Sequence, residues 1–196
     1  MVLIITGGTL KGRRITPPKQ PKQGPCATRP TTSRVRESMM AVLAPWLPNS
    51  RFMDGFAGSG VMGFEALSRG ASHVLAVEAN AKQHQLIQSN AMALGLHFPQ
   101  YESRCQKLEV LLAKPNTHAP YDLAYWDPPY EAYASLPLEK MLADAVANAW
   151  FNATTQLLLE HPPSWSPHNV LGWEITDERR YGDTVVSVLT KEPVSA

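Results

Sequence analysis

Several features are scarce in this 196-residue chain, and each shortage closes off a class of function. It has 2 cysteines, Cys26 and Cys105, and no C-x-x-C pair. Neither a disulfide framework nor a thiolate zinc site is expected, and free thiols fit a reducing cytoplasm. Its 6 histidines (His73, His84, His97, His118, His161, His168) contain no i, i+4 pair, which removes the common helical metal clamp. No apolar run approaches the ~20 residues that cross a bilayer, and the opening MVLIITGG is too short and too uncharged for a signal peptide. A cytoplasmic protein with no membrane segment and no metal is the expectation. Acid is missing altogether from the first 36 residues, which hold 8 Lys or Arg. The rest of the chain carries 10 basic against 17 acidic residues, so the net charge of +1 hides a basic arm on an acidic body. Such an arm suits a polyanion; a merely solvated terminus is the plainer alternative.

Residues 1–30 read as a basic appendage. A hairpin runs from Leu3 to Ile5, through a Gly7-Gly8 turn, to a basic strand ending at Pro17-Pro18. An extended loop follows, with 5 prolines between positions 17 and 30. In RPTTSRVRESMMAVLAPWL, residues Val35, Met39, Val42, Leu43 and Trp46 fall on one helical face, with Arg34 and Arg36 off that stripe. From Phe52 the signals alternate: strand 52–54, a glycine turn, and a helix through Leu67. Strand 73–78, helix 81–94 closed by Gly95, a weak strand at 101–103 and the helical run KLEVLLAK come next. Strand 121–127, a helix near 138–149 and strand 155–160 lead to a Pro/Ser loop and a closing hairpin, WEITDERRYG and DTVVSVLTK. Repeated strand–helix units give an α/β fold: a mainly parallel sheet with helices on both faces and an antiparallel C-terminal edge strand from the hairpin. The body spans 31–191 as one domain, leaving 192–196 as a tail.

The stretch FMDGFAGSGVMG, residues 52–63, organises the rest. An apolar strand ends on Asp54, and Gly58, Gly60 and Gly63 complete G-x-G-x-x-G. Glycines here permit a sharp strand-to-helix turn and a close ligand approach, while the first helical amides face outward beside a partial positive charge. The next apolar run, HVLAVE, ends on Glu78, 20 residues after Gly58. An acid at that place accepts hydrogen bonds from ribose hydroxyls, so a nucleoside-containing cofactor is expected, with plain helix–strand packing as the alternative. A P-loop fails because Val61 stands where Lys is needed after Gly60. A nucleophile elbow on Ser59 fails because Ala57 replaces the required glycine.

Asp127-Pro128-Pro129-Tyr130 ends the fourth strand of the alternating region, at the carboxyl edge of the sheet beside the glycine turn. Two prolines fix the backbone and leave carbonyls as acceptors; Asp127 adds a carboxylate and Tyr130 a flat ring. That set suits a planar base carrying an exocyclic amine, although D-P-P alone would mean only a rigid turn.

Taken together, GGTLKGRRI, RPTTSRVRE (29–37), DGFAGSGVMGFEALSRGA (54–71), WDPPY (126–130) and RRYGDT resemble S-adenosylmethionine-dependent amino-methyltransferases. In detail they are similar to the bacterial family that methylates the guanine N2 amine of small-subunit (16S) ribosomal RNA, over nearly the whole chain. The resemblance implies a Rossmann-like class I methyltransferase fold, S-adenosyl-L-methionine as cofactor, and a monomer acting on ribosomal RNA, naked or in a partly assembled small subunit. It implies a cofactor site of Asp54, Phe56, Ala57, Gly58, Ser59, Gly60, Glu78, Cys105, Gln106 and Asp127, with Asp54 near the ammonium group and Glu78 on the ribose. The catalytic set would be Asp127, Pro128, Pro129 and Tyr130, and Arg13, Arg14, Arg29, Thr31, Arg34 and Arg36 would meet RNA. Two positions depart from the family. Gly55 stands where a larger apolar residue is usual. Arg104-Cys105-Gln106 replaces an Asp often set against the adenine amine, leaving that contact to a backbone amide or Gln106. Three rivals remain. A DNA adenine-N6 methyltransferase usually adds a target-recognition domain for which this chain has no room. An NAD-dependent oxidoreductase leaves DPPY without purpose. A non-catalytic RNA-binding protein leaves the intact motifs without purpose.

Overall fold

A computed structural model describes residues 3–18, 33–167 and 170–192, with the side chains of Ser33 and Arg34 outside that description. A two-stranded hairpin, β1 (Leu3–Ile4) and β2 (Arg14–Ile15), precedes α1 (Ser33–Leu43). Strands and helices then alternate: β3 (Arg51–Asp54), α2 (Val61–Ser68), β4 (His73–Glu78), α3 (Ala81–Leu94), β5 (Tyr101–Cys105), α4 (Leu108–Leu112) and β6 (Tyr121–Trp126). A 3₁₀ turn at Tyr130–Ala134 leads to α5 (Leu138–Ala147), β7 (Phe151–His161), β8 (Trp173–Tyr181) and β9 (Thr184–Lys191).

The main sheet has 7 strands in the order β5-β4-β3-β6-β7-β9-β8. Strands β3 to β7 are parallel, and the closing hairpin makes the antiparallel edge, β9 against β7 with β8 outermost. Helices α1, α2 and α3 pack on one face around Phe52, Phe64, Val74 and Tyr125. On the other, α4 and α5 pack around Met53, Trp126, Leu157 and Leu159. Covered on both sides, the central strands are apolar runs without alternation, as parallel strands are. Strand order reverses between β3 and β6, so their carboxyl ends flank the crevice where open α/β sheets bind ligands.

Two elements differ from the periodicity reading. The buried face of α1 is Val35, Arg36, Met39, Met40 and Leu43, continued by Leu47, while Trp46 is 48% exposed. The helix ends at Leu43, and a turn carries Trp46 off the stripe. Strand β7 begins at Phe151, not 155, because its register against β6 shifts between Tyr121 and Leu123. Within that irregularity the Thr155 hydroxyl donates to the Tyr121 carbonyl at 2.7 Å, supplying the ladder bond that a backbone amide would otherwise make.

The N-terminal hairpin is docked on the body. Leu3, Ile5 and Ile15 join the α1–α3 core. The Thr6 amide and hydroxyl donate to Glu65 Oε1 at 2.7 and 2.9 Å, and Arg36 Nε reaches the same oxygen at 3.1 Å. Arg36 Nη2 also donates to the Ile4 carbonyl at 2.9 Å. Arg69 Nη2 lies 3.2 Å from Glu65 Oε2, near enough for charge but off hydrogen-bond alignment. The far end of the hairpin is held by Asn90, which exchanges two hydrogen bonds with the Thr16 backbone.

Candidate active site

Four of the five parallel strands finish on or beside an acid: Asp54 on β3, Glu78 on β4, Asp127 just past β6, and Glu160 next to last on β7. The fifth, β5, ends on Cys105, level with Glu78 in register. Between the tips of β4 and β6 lies the glycine turn. Its Gly55 amide donates to the Tyr125 carbonyl and its Ala57 amide to the Val77 carbonyl, both at 2.9 Å.

Gly60, with φ 77°, is the N-cap of α2 and has no side chain to satisfy the helix's first amides. Asp54 supplies the missing acceptor from the neighbouring strand, its Oδ2 taking the Gly63 amide at 3.1 Å. That contact requires a close approach, since a Cβ on Gly63 would lie 2.8 Å from Val74 Cγ1. Asp54 is 1% exposed. Burial pushes its carboxyl up to about 7; the Gly63 amide pulls it back and the Glu78 charge adds to the rise.

Glu78 is half-buried and staples the turn to its own strand tip, with Oε2 accepting from the Gly58 amide at 2.9 Å and Oε1 from the Asn80 amide at 2.7 Å. Burial raises its pKa, and the Asn80 and Gly58 amides hold it back. Each oxygen keeps a second lone pair for a further donor. Asn80 also caps α3 through the Lys82 and Gln83 amides, so Glu78 stands on a fixed helix start. Ala57 is buried, Phe56 is half-buried against the α4–α5 core, and Ser59 Oγ accepts weakly from the Val61 amide at 3.4 Å. Cys105 is exposed and Gln106 half-buried.

Gly55 has a local explanation. A Cβ there would sit 2.3 Å from Trp126 Cδ1 and 2.7 Å from Leu108 Cδ2. The Trp126 indole, fully buried, fills the volume that a larger residue at 55 would take.

At the neighbouring tip Asp127 is half-buried, Pro128 buried, and Pro129 and Tyr130 exposed. The Pro129 carbonyl accepts the Ala132 amide at 2.8 Å and opens the 3₁₀ turn. Among the described residues none donates to the Pro128 carbonyl, so the two prolines have different parts. Tyr130 is 42% exposed, and its hydroxyl is anchored on the β8–β9 turn at the Asp183 carbonyl, 3.1 Å, and Thr184 Oγ1, 3.0 Å.

Sequence reasoning missed the group beside this tip. The Tyr133 hydroxyl donates to the Glu160 carbonyl, and the Tyr125 hydroxyl to Glu160 Oε2. Burial raises the Tyr133 pKa, helped by the charges of Asp127 and Glu160. Burial likewise raises that of Glu160, and the Tyr125 hydroxyl draws it partway back. A signal was present: TQLLLE is an apolar run ending on an acid, as HVLAVE is.

The basic residues divide. Arg13 and Arg14 are exposed on the hairpin, Arg13 Nη2 donating to the Ala93 carbonyl at 2.8 Å. Arg29 and Thr31 lie outside the described residues, as does the Arg34 side chain. Arg36 is a correction: at 2% exposure, ion-paired to Glu65, it is an internal strut with no surface for a phosphate. Two concavities, about 510 Å³ between α1 and β8–β9 and about 420 Å³ beside Trp165, are lined by none of the strand-tip acids.

Comparison with solved structures fixes the fold. A chain from Escherichia coli provisionally named methyltransferase yhhF matches with a TM-score of 0.80 and 26% identity, covering 98% of this chain and 99% of that one. A ribosomal protein L11 methylase from Lactobacillus delbrueckii, 16% identical, matches at 0.64 over 81% and 80% of the two chains. The architecture is that of the class I methyltransferases. A family model described as Conserved hypothetical protein 95 matches residues 3–190. Ribosomal RNA small subunit methyltransferase D of Escherichia coli is 31% identical over 174 residues, 84% of this chain and 81% of the relative. Its namesake in Haemophilus influenzae is 29% identical over 181 residues, 91% and 88% of the two. The chain belongs to this family of small-subunit ribosomal RNA methyltransferases.

Proposed function

We propose that this protein transfers a methyl group from S-adenosyl-L-methionine to the N2 amine of a guanine in small-subunit ribosomal RNA. The observation that carries the reading is the placement of a glycine turn between two acid-tipped strands, with the DPPY tetrapeptide on the far side of the same switch point. The residues present fit the cofactor. Glu78 has lone pairs for ribose hydroxyls. Asp54, held near 7 by burial with no Lys or Arg partner among the described residues, gains ionised character when an ammonium group arrives. Cys105 ends β5 level with Glu78 and Gln106 follows it, a position that supports an adenine contact there.

When bound, S-adenosylmethionine supplies an electrophilic methyl. The chain's own part is to hold an amine against it. Asp127 and the Pro128 carbonyl accept from the N2 amine, and the exposed ring of Tyr130 stacks on a guanine turned out of its RNA. Restricting the amine to one orientation removes most of the entropic barrier, so the acceleration is chiefly positional. After transfer the Asp127 carboxylate, or water, takes the proton from nitrogen. Arg13 and Arg14, with Arg29, Thr31 and Arg34, engage phosphates, an attraction that weakens with salt.

Asp127→Ala tests the assignment. Methyl transfer to ribosomal RNA falls by a factor of roughly 10³ or more while S-adenosylhomocysteine still raises the melting temperature. Full turnover in that variant contradicts it. Stabilisation by NADH and not by S-adenosylhomocysteine would favour the oxidoreductase instead.

A further inference from the structure

A pocket that holds only an exocyclic amine cannot tell guanine from adenine, since both offer one. The atom beside the amine separates them: guanine presents a second donor, N1–H, where adenine presents the N1 acceptor. An acceptor-only group next to the amine site would therefore read guanine, and Glu160 is placed to do so.

Strand β7 runs parallel to β6 with Tyr125 opposite Leu158 and Trp126 opposite Leu159. One further step in that register sets Asp127 level with Glu160. If the strand alternation of β6 carried one residue past its end, Asp127 would share a sheet face with Tyr125, whose hydroxyl donates to Glu160 Oε2. The charges of Asp127 and Glu160 both raise the pKa of the Tyr133 hydroxyl, so both carboxyls lie within electrostatic range of it. Glu160 keeps 5% of its surface, and among the described residues no donor reaches its Oε1. The Tyr125 hydroxyl takes Oε2 and leaves Oε1 for a further donor, and the Tyr133 hydroxyl holds the Glu160 backbone to the turn that follows DPPY.

We propose that Glu160 is the specificity-determining residue of this site, its Oε1 accepting the N1–H of the guanine whose N2 amine Asp127 and Pro128 hold. This rests on the guanine-N2 reading above. An adenine in the same pose sets an acceptor against an acceptor and leaves both unsatisfied, which is how a polar site rejects a near-isostere.

The test uses 2-aminopurine, which keeps the amine at C2 but replaces N1–H with an acceptor. Once the methylated nucleotide is mapped, ribosomal RNA is prepared with guanine or 2-aminopurine at that position. Wild-type protein prefers guanine. In Glu160→Gln the amide oxygen takes the Tyr125 hydroxyl and the amide nitrogen occupies the place of Oε1, turning an acceptor into a donor. The guanine to 2-aminopurine ratio of kcat/KM then falls by roughly tenfold or more, the worth of one hydrogen bond to a charged group, with S-adenosylhomocysteine binding retained. An equal loss on both substrates means that Glu160 only supports the fold, and overturns the inference while the guanine-N2 reading stands. Wild-type protein that methylates neither substrate overturns both. Should the Gln variant melt out, Tyr125→Phe, which releases the same carboxyl, is read by the same ratio: a fall supports the inference and an unchanged ratio overturns it.

Discussion

Glu65 and Asp54 are both sealed from solvent, at 0% and 1% exposure, yet they live in opposite electrostatic surroundings. Glu65 is wrapped by two arginines, with Arg36 at 3.1 Å and Arg69 at 3.2 Å, and its Oε1 also takes the Thr6 amide and hydroxyl. Asp54 has one backbone amide, a neighbouring carboxylate, and a pKa raised to about 7. Glu78 and Glu160 are like Asp54: buried or half-buried at a strand tip and raised by burial, with no Lys or Arg partner among the described residues, Glu78 being eased by backbone amides and the charge of His84 and Glu160 by a tyrosine hydroxyl. An acid with its cation inside the protein is finished; it joins the hairpin to α1 and α2. An acid buried without one is poised for a donor or cation from outside.

Breaking the paired acid has the larger effect on stability. Glu65→Ala strands Arg36 in the core and lowers unfolding free energy by about 3–5 kcal/mol, measured by urea denaturation. Gly55→Ala forces a methyl into Trp126 and costs about 1–3 kcal/mol, with Trp126→Phe in the same chain restoring part of the loss. On the unpaired side Asp54→Asn changes stability by only about 1 kcal/mol, because an amide oxygen still accepts the Gly63 amide. It weakens S-adenosylhomocysteine binding nonetheless, as calorimetry would register.

The subtlest contrast is in pH. The Asp54 carboxyl rises from 3.8 to about 7 on folding, so between those values the folded chain binds more protons than the unfolded one. Stability from this group therefore falls as pH rises through that window, and is level above and below it. Thermal melts of the free protein show that slope; in Asp54→Asn it is smaller. Binding of S-adenosylhomocysteine near pH 6.5 releases protons as its ammonium draws the carboxyl down, a release seen as a buffer-dependent calorimetric heat.

Most of the sheet and its switch point were legible because β3, β4 and β6 are apolar runs bounded by glycine, acid or proline, signals that sit within a few residues. The glycine turn, Glu78 and DPPY were legible for the same reason. What escaped depends on distant partners. Arg36 reads as a surface cation until Glu65, 29 residues on, is packed beneath it. Trp46 continues a helical stripe in sequence, but the helix stops at Leu43. The irregular start of β7 needs the Tyr121 carbonyl, 34 residues earlier, to be seen. Glu160 carried a local sign, an acid closing an apolar run, whose meaning emerges only with β7 placed next to β6.

The most direct test is mass spectrometry of nucleosides from small-subunit ribosomal RNA, unmodified by its own methyltransferase, after incubation with this protein and S-adenosylmethionine. The account predicts a new N2-methylguanosine, absent with Asp127→Ala protein. A methylated adenosine or cytidine in its place, or no methylated nucleoside from either naked RNA or assembling subunits, would contradict it.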